Sequence, residues 1–297
     1  MSHEKQYLDL IKKILEQGDK RMCRNGYTYS VFGEHMRFNL RNNSIPILTT
    51  KRTAWKTCLK ELFWFIRGET DNKILKKNNV KIWNDNGSRE FLDSVGLNSN
   101  REDDLGPIYG FQWRNFNGDY TSCDDFEKNG IDQFRNIVHK LMNGDKYSRR
   151  LIVNAWNPSA LHKMALPPCH VLFQFYVNSK DELSCHLYQR SGDVGLGVPF
   201  NIASYSFLTH IVANACGLKA GEFVYSLGDC HIYEEHIDAL KEQIKREPYE
   251  FPTITFNKDL TTENVDDAIE MMENLTTDDI TINNYNYHAK IKMDMKA

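Results

Sequence analysis

The alternation of apolar and polar positions divides this chain into helices and strands. Apolar residues at 7, 8, 10, 11, 14 and 15 repeat with the helix period and stop at Gly18, which predicts a helix over 7–15. The same period recurs over 57–66, 131–142, 204–216 and 231–246, the last two ending before Gly217 and Pro248. Between them, runs rich in β-branched and aromatic residues predict strands over 30–40, 151–156, 171–177, 183–189, 222–227 and 253–256. Strands follow one another with short connections, and helices are not regularly interleaved. That pattern predicts an α+β fold, with a mixed or largely antiparallel sheet and flanking helices. No repeat and no Pro/Gly/Ser linker interrupts it, so residues 1–297 read as a single domain. The acidic, polar stretch 257–284 reads as a solvated, mobile segment.

Composition narrows the classes. Hydrophobic residues make up 41% and charged residues 26%, the balance of an ordinary globule. The net charge of −3 comes from interspersed charges, which argues against dedicated nucleic-acid binding. Seven scattered cysteines without a C-x-x-C pair argue for a reducing compartment, with neither a disulfide framework nor a structural zinc. No apolar run has membrane-spanning length, and the N-terminus is polar, so the expectation is a cytoplasmic protein with no membrane partner. There is no G-x-G-x-x-G and no P-loop, hence no Rossmann or P-loop nucleotide site.

The chemistry concentrates around Cys169. Pro167 and Pro168 precede it and an apolar strand follows, so a stiff backbone places this thiol. Cys23, Cys58, Cys123, Cys185, Cys216 and Cys230 lack such neighbours and read as small core hydrophobes. Downstream, Arg190 and Ser191 suit an oxyanion, and Asn201 offers a side-chain amide. Glu61 lies within an apolar helix, where a carboxyl is either a surface group beside Lys60 or a buried proton carrier of raised pKa. Arg149 and Arg150 precede a strand; neighbouring strand residues face opposite sides, so at most one reaches a given ligand directly. The same rule excludes a direct Cys169–His170 dyad. Adjacent Cys230 and His231 make a poor zinc pair.

Long ordered motifs then resemble the thymidylate synthase family through nearly the whole chain. They include Ser30-Val31-Phe32-Gly33, Leu62-Phe63-Trp64-Phe65-Ile66-Arg67-Gly68, and the run from Asp104 to Trp113. The Cys169 segment, the run from Leu187 to Tyr205, Asp229 to Tyr233, and Ile291 to Met295 continue the match. The resemblance implies reductive methylation of dUMP to dTMP, with 5,10-methylenetetrahydrofolate as one-carbon and hydride donor and no metal. It implies Cys169 as nucleophile toward carbon 6 of the pyrimidine, with its thiol acidified by nearby arginines. Glu61, Tyr109 and His170 would serve the proton transfers, and Asn201 would read the uracil. Phosphate would be held by Arg190, Ser191 and Arg24 of one chain and by Arg149 and Arg150 of the partner subunit. His231 and Tyr233 would hold the deoxyribose. Asp193 would serve both the nucleotide and the folate; with Trp83, Asn86, Leu196 and Gly197 it would line the folate site, with the tail through Ala297 closing over it. The fold implied is a homodimer joined through a sheet face, with shared active sites and a separate dihydrofolate reductase.

Two departures from the family pattern stand out. The phosphate loop, Arg24-Asn25-Gly26-Tyr27-Thr28, is one residue shorter, which leaves Arg21 as an alternative to Arg24. The 260–280 region is longer. Rival readings are a uracil-specific deoxynucleotide hydroxymethylase, in which water captures the methylene, and a non-catalytic nucleotide- or RNA-binding protein on the same scaffold.

Overall fold

The computed structural model describes residues 3–295. The chain begins with α1 (Lys5–Gln17), β1 (Asp19–Cys23), β2 (Gly26–Asn39), α2 (Trp55–Ile66), α3 (Asn72–Lys77), α4 (Arg89–Ser94) and α5 (Tyr109–Asn115). It continues through β3 (Tyr120–Ser122), β4 (Asp125–Phe126), α6 (Gln133–Met142), β5 (Ile152–Asn154), β6 (His170–Val177) and β7 (Glu182–Asp193). Last come α7 (Gly197–Ala215), β8 (Lys219–Tyr233), α8 (Ile237–Gln243), β9 (Thr253–Phe256), α9 (Val265–Glu273) and β10 (Ile280–Asn283).

Six strands form the main sheet in the order β1-β2-β8-β7-β6-β5. Its neighbours are antiparallel except β7 and β8, which run parallel with Ser191 opposite Asp229 and Asp193 opposite His231. A parallel pair needs a crossover, and α7 supplies it. The expected α+β class with a mixed sheet is what the chain adopts.

α7 differs from its expected form. It starts at Gly197 rather than near 204, and it is not amphipathic: all its residues except Gly197, Phe200 and Asn214 are buried. A helix apolar all round belongs in the interior, and this one lies between the sheet and α2. Pro199 falls in its first turn, where the missing N–H costs nothing. The inner sheet face meets it through Phe173, Phe175, Leu187, Phe223 and Tyr225, all essentially without exposure.

The stretch expected to be helical from 231 is extended instead. β8 runs on to Tyr233 because Ser30 and Thr28 of β2 pair with His231 and Tyr233. A short 3-10 turn, Glu234–His236, then leads into α8. Cross-strand pairing here overrides the local helix period. Segment 257–284 is not a loose polar loop either. It contains α9 and β10, and it buries Val265, Ala268, Ile269, Met272, Leu275 and Ile280. Arg114 anchors it, donating to Glu273 Oε1 at 2.5 Å, to Asp132 Oδ1 at 3.0 Å and to the Ile66 carbonyl at 2.6 Å. The acidic residues occupy the outer side, which is why composition alone reads the segment as solvated.

Met272→Ala should therefore lower unfolding free energy by about 2–5 kcal/mol, the usual cost of emptying a packed methionine site. Urea denaturation measures this; a loss below about 0.5 kcal/mol, typical of a surface change, would mean that α9 is not part of the core.

Candidate active site

A cavity of about 690 Å³ opens where the ends of β7 and β8, the start of α7, and α2 converge. Cys169, just before β6, lines it. Its backbone N–H donates to the Tyr109 hydroxyl at 2.7 Å, and its carbonyl accepts from Arg190 N at 2.9 Å. The Arg190 guanidinium donates to the carbonyls of Pro168 at 2.9 Å and Pro167 at 2.8 Å, and stacks 5.4 Å from the Trp156 ring. One cationic side chain thus clamps the backbone that carries the thiol. Burial pushes the Cys169 thiol above its ordinary pKa, while Arg190, the Tyr109 hydrogen bond and Arg24 pull it back. The net direction is upward, against the expected acidification, because desolvation outweighs the cations within one chain.

Glu61 projects from α2 and is buried; its Oε1 accepts from Trp83 Nε1 at 2.7 Å. Burial raises its pKa to about 7, and the indole hydrogen bond opposes that rise. Tyr109 opens α5 with its ring against Phe65, Trp83 and His170. His170 is buried, and burial lowers its pKa to about 4. Its Nε2 lies 2.8 Å from the Asn201 side-chain amide, which ties the ring to α7. The ring engages α7 rather than the neighbouring thiol.

The structure gathers most of the expected residues around this cavity. Arg24, Trp83, Asn86, Arg190, Ser191, Asp193, Leu196, Gly197, Asn201, His231 and Tyr233 all line it, with Glu61, Tyr109 and His170. His231 Nδ1 is 3.0 Å from Asp229 Oδ1, which orients the ring. Asn25 Oδ1 accepts from Arg24 Nε at 3.1 Å. Arg21 instead pairs with Ser30 and Asp229, away from the cavity lining. Arg149 and Arg150 are exposed and do not line the cavity. Ala297 lies outside the described residues; Met295 of the tail reaches the cavity wall.

Sequence reasoning assigned no role to Gln189 and Tyr225. Gln189 lines the cavity, and its Oε1 accepts from the Tyr225 hydroxyl at 2.6 Å. The same hydroxyl lies 3.5 Å from Asn201 Oδ1. A signal for Gln189 existed: it follows Leu183, Cys185 and Leu187 on the buried face of β7, where a polar residue calls for a partner. The cavity lining therefore combines the cations Arg24 and Arg190, the amides of Asn86, Gln189 and Asn201, and the aromatic rings of Phe65, Trp83 and Phe200. That arrangement suits a phosphorylated planar ring beside a second, larger aromatic ligand.

Comparison with known proteins gives the class. The sequence model of the family described as thymidylate synthase matches residues 5–297. The thymidylate synthase of Ascaris suum is 52% identical over 294 residues, covering 98% of this chain and 96% of that protein. The thymidylate synthase of Saccharomyces cerevisiae is 47% identical over 305 residues, covering 99% and 97%. The bifunctional dihydrofolate reductase-thymidylate synthase of Leishmania major is 50% identical over 295 residues, and there the match spans 55% of the longer protein. The chain is thus an enzyme of the methyltransferase class. It belongs to the thymidylate synthase family, and its reaction is the methylation of dUMP to dTMP. Members of the family use methylenetetrahydrofolate as co-substrate.

The raised pKa of Glu61 has a measurable consequence. The folded protein holds this proton up to about pH 7, whereas an unfolded chain releases it near 4.5. Stability from this group is complete below 4.5 and declines as pH rises to 7, by about 3 kcal/mol in total. Glu61→Gln lacks the decline. Urea midpoints across that range should show the variant gaining on the wild type by about this amount as pH rises; a constant gap would mean that the carboxyl ionises as it does in water.

Proposed function

We propose that this enzyme methylates dUMP by covalent catalysis from Cys169, with 5,10-methylenetetrahydrofolate bound against the aromatic rings of the cavity lining. The observation that carries the reading is the clamped Cys169 beside Arg190, facing Asn201 and Glu61 across one cavity. The phosphate meets Arg190, Ser191 and Arg24, and the deoxyribose hydroxyl meets His231 and Tyr233. The amide of Asn201 pairs with the uracil carbonyl and N–H, which a carboxylate could not do without a proton.

Carbon 5 of uracil becomes nucleophilic only after addition at carbon 6. The Cys169 thiolate forms the sulfur–carbon bond, and the ring double-bond pair moves onto the carbonyl at carbon 4. Phosphate binding would offset part of the arginine field, so the extra cations Arg149 and Arg150 of the partner subunit help keep the thiolate accessible. Glu61, poised near neutrality, relays protons to and from the ring carbonyl. Tyr109 and His170 hold the surrounding network, and His170 does so as a neutral ring.

The chain's own residues fit the folate. Asn86 and Trp83 both line the cavity, and the buried Asn86 Nδ2 has no hydrogen-bond partner among the described residues. A polar amide and an indole in one lining suit a polar heterocycle that stacks and accepts. Asp193, Leu196 and Gly197 face the same space. When bound, the folate supplies the methylene carbon and the hydride that completes the methyl group. The residues above position it and exclude water, which would otherwise divert the product to a hydroxymethyl nucleotide.

The enzyme acts as a cytoplasmic homodimer. No helix among the described residues is long and apolar enough to cross a membrane. The outer face of the main sheet carries exposed Ile152, Tyr176 and Tyr188, which a second copy would cover. Arg149 and Arg150 are exposed just before the edge strand β5, which supports a reach to the partner's site.

With a 5-fluorinated dUMP analogue and the folate, a covalent ternary species should accumulate, because fluorine cannot leave carbon 5 as a proton. Intact-protein mass detects it, and Cys169→Ser should abolish it. Attachment at another cysteine would overturn the role of Cys169, and a hydroxymethyl product from dUMP itself would replace hydride transfer by water capture. Shared sites predict complementation. Cys169→Ser and Arg150→Ala dimers should each be nearly inactive, and refolding them together should restore about a quarter of wild-type activity per site, because about half the dimers are mixed and each then has one intact site. A mixture as inactive as its parents, with wild type surviving the same treatment, would place Arg150 outside any shared site.

A further inference from the structure

We propose that His236 is a positioning residue for the folate co-substrate: its ring couples the C-terminal tail to the turn that carries Asp193, so that tail and turn hold the ligand as one unit. This rests on the folate reading given above.

His236 ends the 3-10 turn after β8 and is 1% exposed. Its Nε2 lies 2.8 Å from the Asp294 carbonyl oxygen. A carbonyl only accepts, so Nε2 bears the hydrogen and donates to the tail. Between residues 290 and 295, among the described residues, this is the hydrogen bond that holds the tail to the body of the protein. The other ring nitrogen, Nδ1, points into the turn at 193–197. It lies 3.9 Å from Asp193 Oδ1, is buried, and has no hydrogen-bond partner among the described residues.

The turn is built to receive this ring. A Cβ placed on Gly195 would come within 2.9 Å of His236 Nδ1 and 3.3 Å of Met293 Sδ, so only glycine allows the approach. Asp193 Oδ1 accepts from Gly195 N at 2.9 Å, which fixes the carboxylate. From beneath, the Tyr7 hydroxyl donates to the Val194 carbonyl at 2.8 Å, and Lys51 Nζ donates to the Gly195 carbonyl. The turn is therefore rigid, while the tail hangs from His236. Asp193, Leu196, Gly197 and Met295 line one stretch of the cavity, and the imidazole sits behind it with its ring edge against Tyr233. A tail free of His236 would leave that stretch open on one side.

Isosteres separate the two nitrogens. An asparagine amide overlays Nδ1 and cannot reach Asp294, whereas a glutamine amide overlays Nε2 and can. His236→Asn should raise the KM for methylenetetrahydrofolate about tenfold, the cost of one buried hydrogen bond, and leave dUMP binding by calorimetry within about twofold. It should also speed carboxypeptidase release of the C-terminal residues, followed by intact mass. His236→Gln should recover most of both. A chain ending at Met293 keeps His236 but lacks its acceptor, and adding His236→Asn to it should change the folate KM no further. Equal defects in the Asn and Gln variants, a loss of dUMP affinity as large as that for folate, unchanged tail release, or additive effects in the truncated chain would each overturn the proposal. Failure of the folate reading would look different: the wild type itself would form no trapped ternary complex.

Discussion

The parallel pairing of β7 with β8 is the constraint on which the site depends. Two parallel neighbours cannot be joined by a hairpin, so the chain must leave the sheet and return through a helix. Because the sheet's inner face and α2 enclose that helix, α7 must be apolar nearly all round. The pairing sets Ser191 opposite Asp229 and Asp193 opposite His231. The crossover starts at the same end of the sheet, which brings Gly197 and Asn201 to the residues they face. The parts of the cavity lined by Ser191, Asp193, Gly197, Asn201 and His231 are thus consequences of a single topological choice.

Around this frame burial shifts three of the cavity's titratable groups toward their uncharged forms. Glu61 is raised to about 7, His170 is lowered to about 4, and the Cys169 thiol is pushed up. Such a site stores little charge of its own, so an arriving dianion meets arginines and few competing carboxylates. The same desolvation makes proton transfer near neutrality accessible to Glu61. Arg190 has two tasks in consequence. Its guanidinium already holds the carbonyls of Pro167 and Pro168, and its charge opposes the desolvation of the thiol. Arginine suits both, since its planar fork can serve several acceptors at once.

Much of this was legible in the sequence. The double proline before Cys169, the Arg190–Ser191 pair, and a carboxyl inside an apolar helix each carry a local physical signal. The central strands were also legible, because alternation survives wherever one sheet face is buried. Less legible were the elements whose form depends on distant partners. Residues 231–233 have helix-like spacing, yet they are strand because β2 pairs with them. The 257–284 segment reads as acidic and mobile, yet its apolar residues close the core while Arg114 binds Glu273. His236 gave no signal, since an isolated histidine after a strand has no pattern.

The sequence by itself determined the residue types, the stiff backbone at Cys169 and the family to which the chain belongs, because these reside in local covalent geometry and in long ordered motifs. Only the tertiary structure decided which of those residues share a cavity and in what protonation state. Burial depends on what packs against a group, so the Glu61 carboxyl raised to about 7, the neutral His170 ring and the raised Cys169 thiol could not be read from neighbours along the chain. Distance along the chain is equally silent about His236, which meets Asp193 and Asp294 only after the β7–β8 crossover and the tail have both been folded into place.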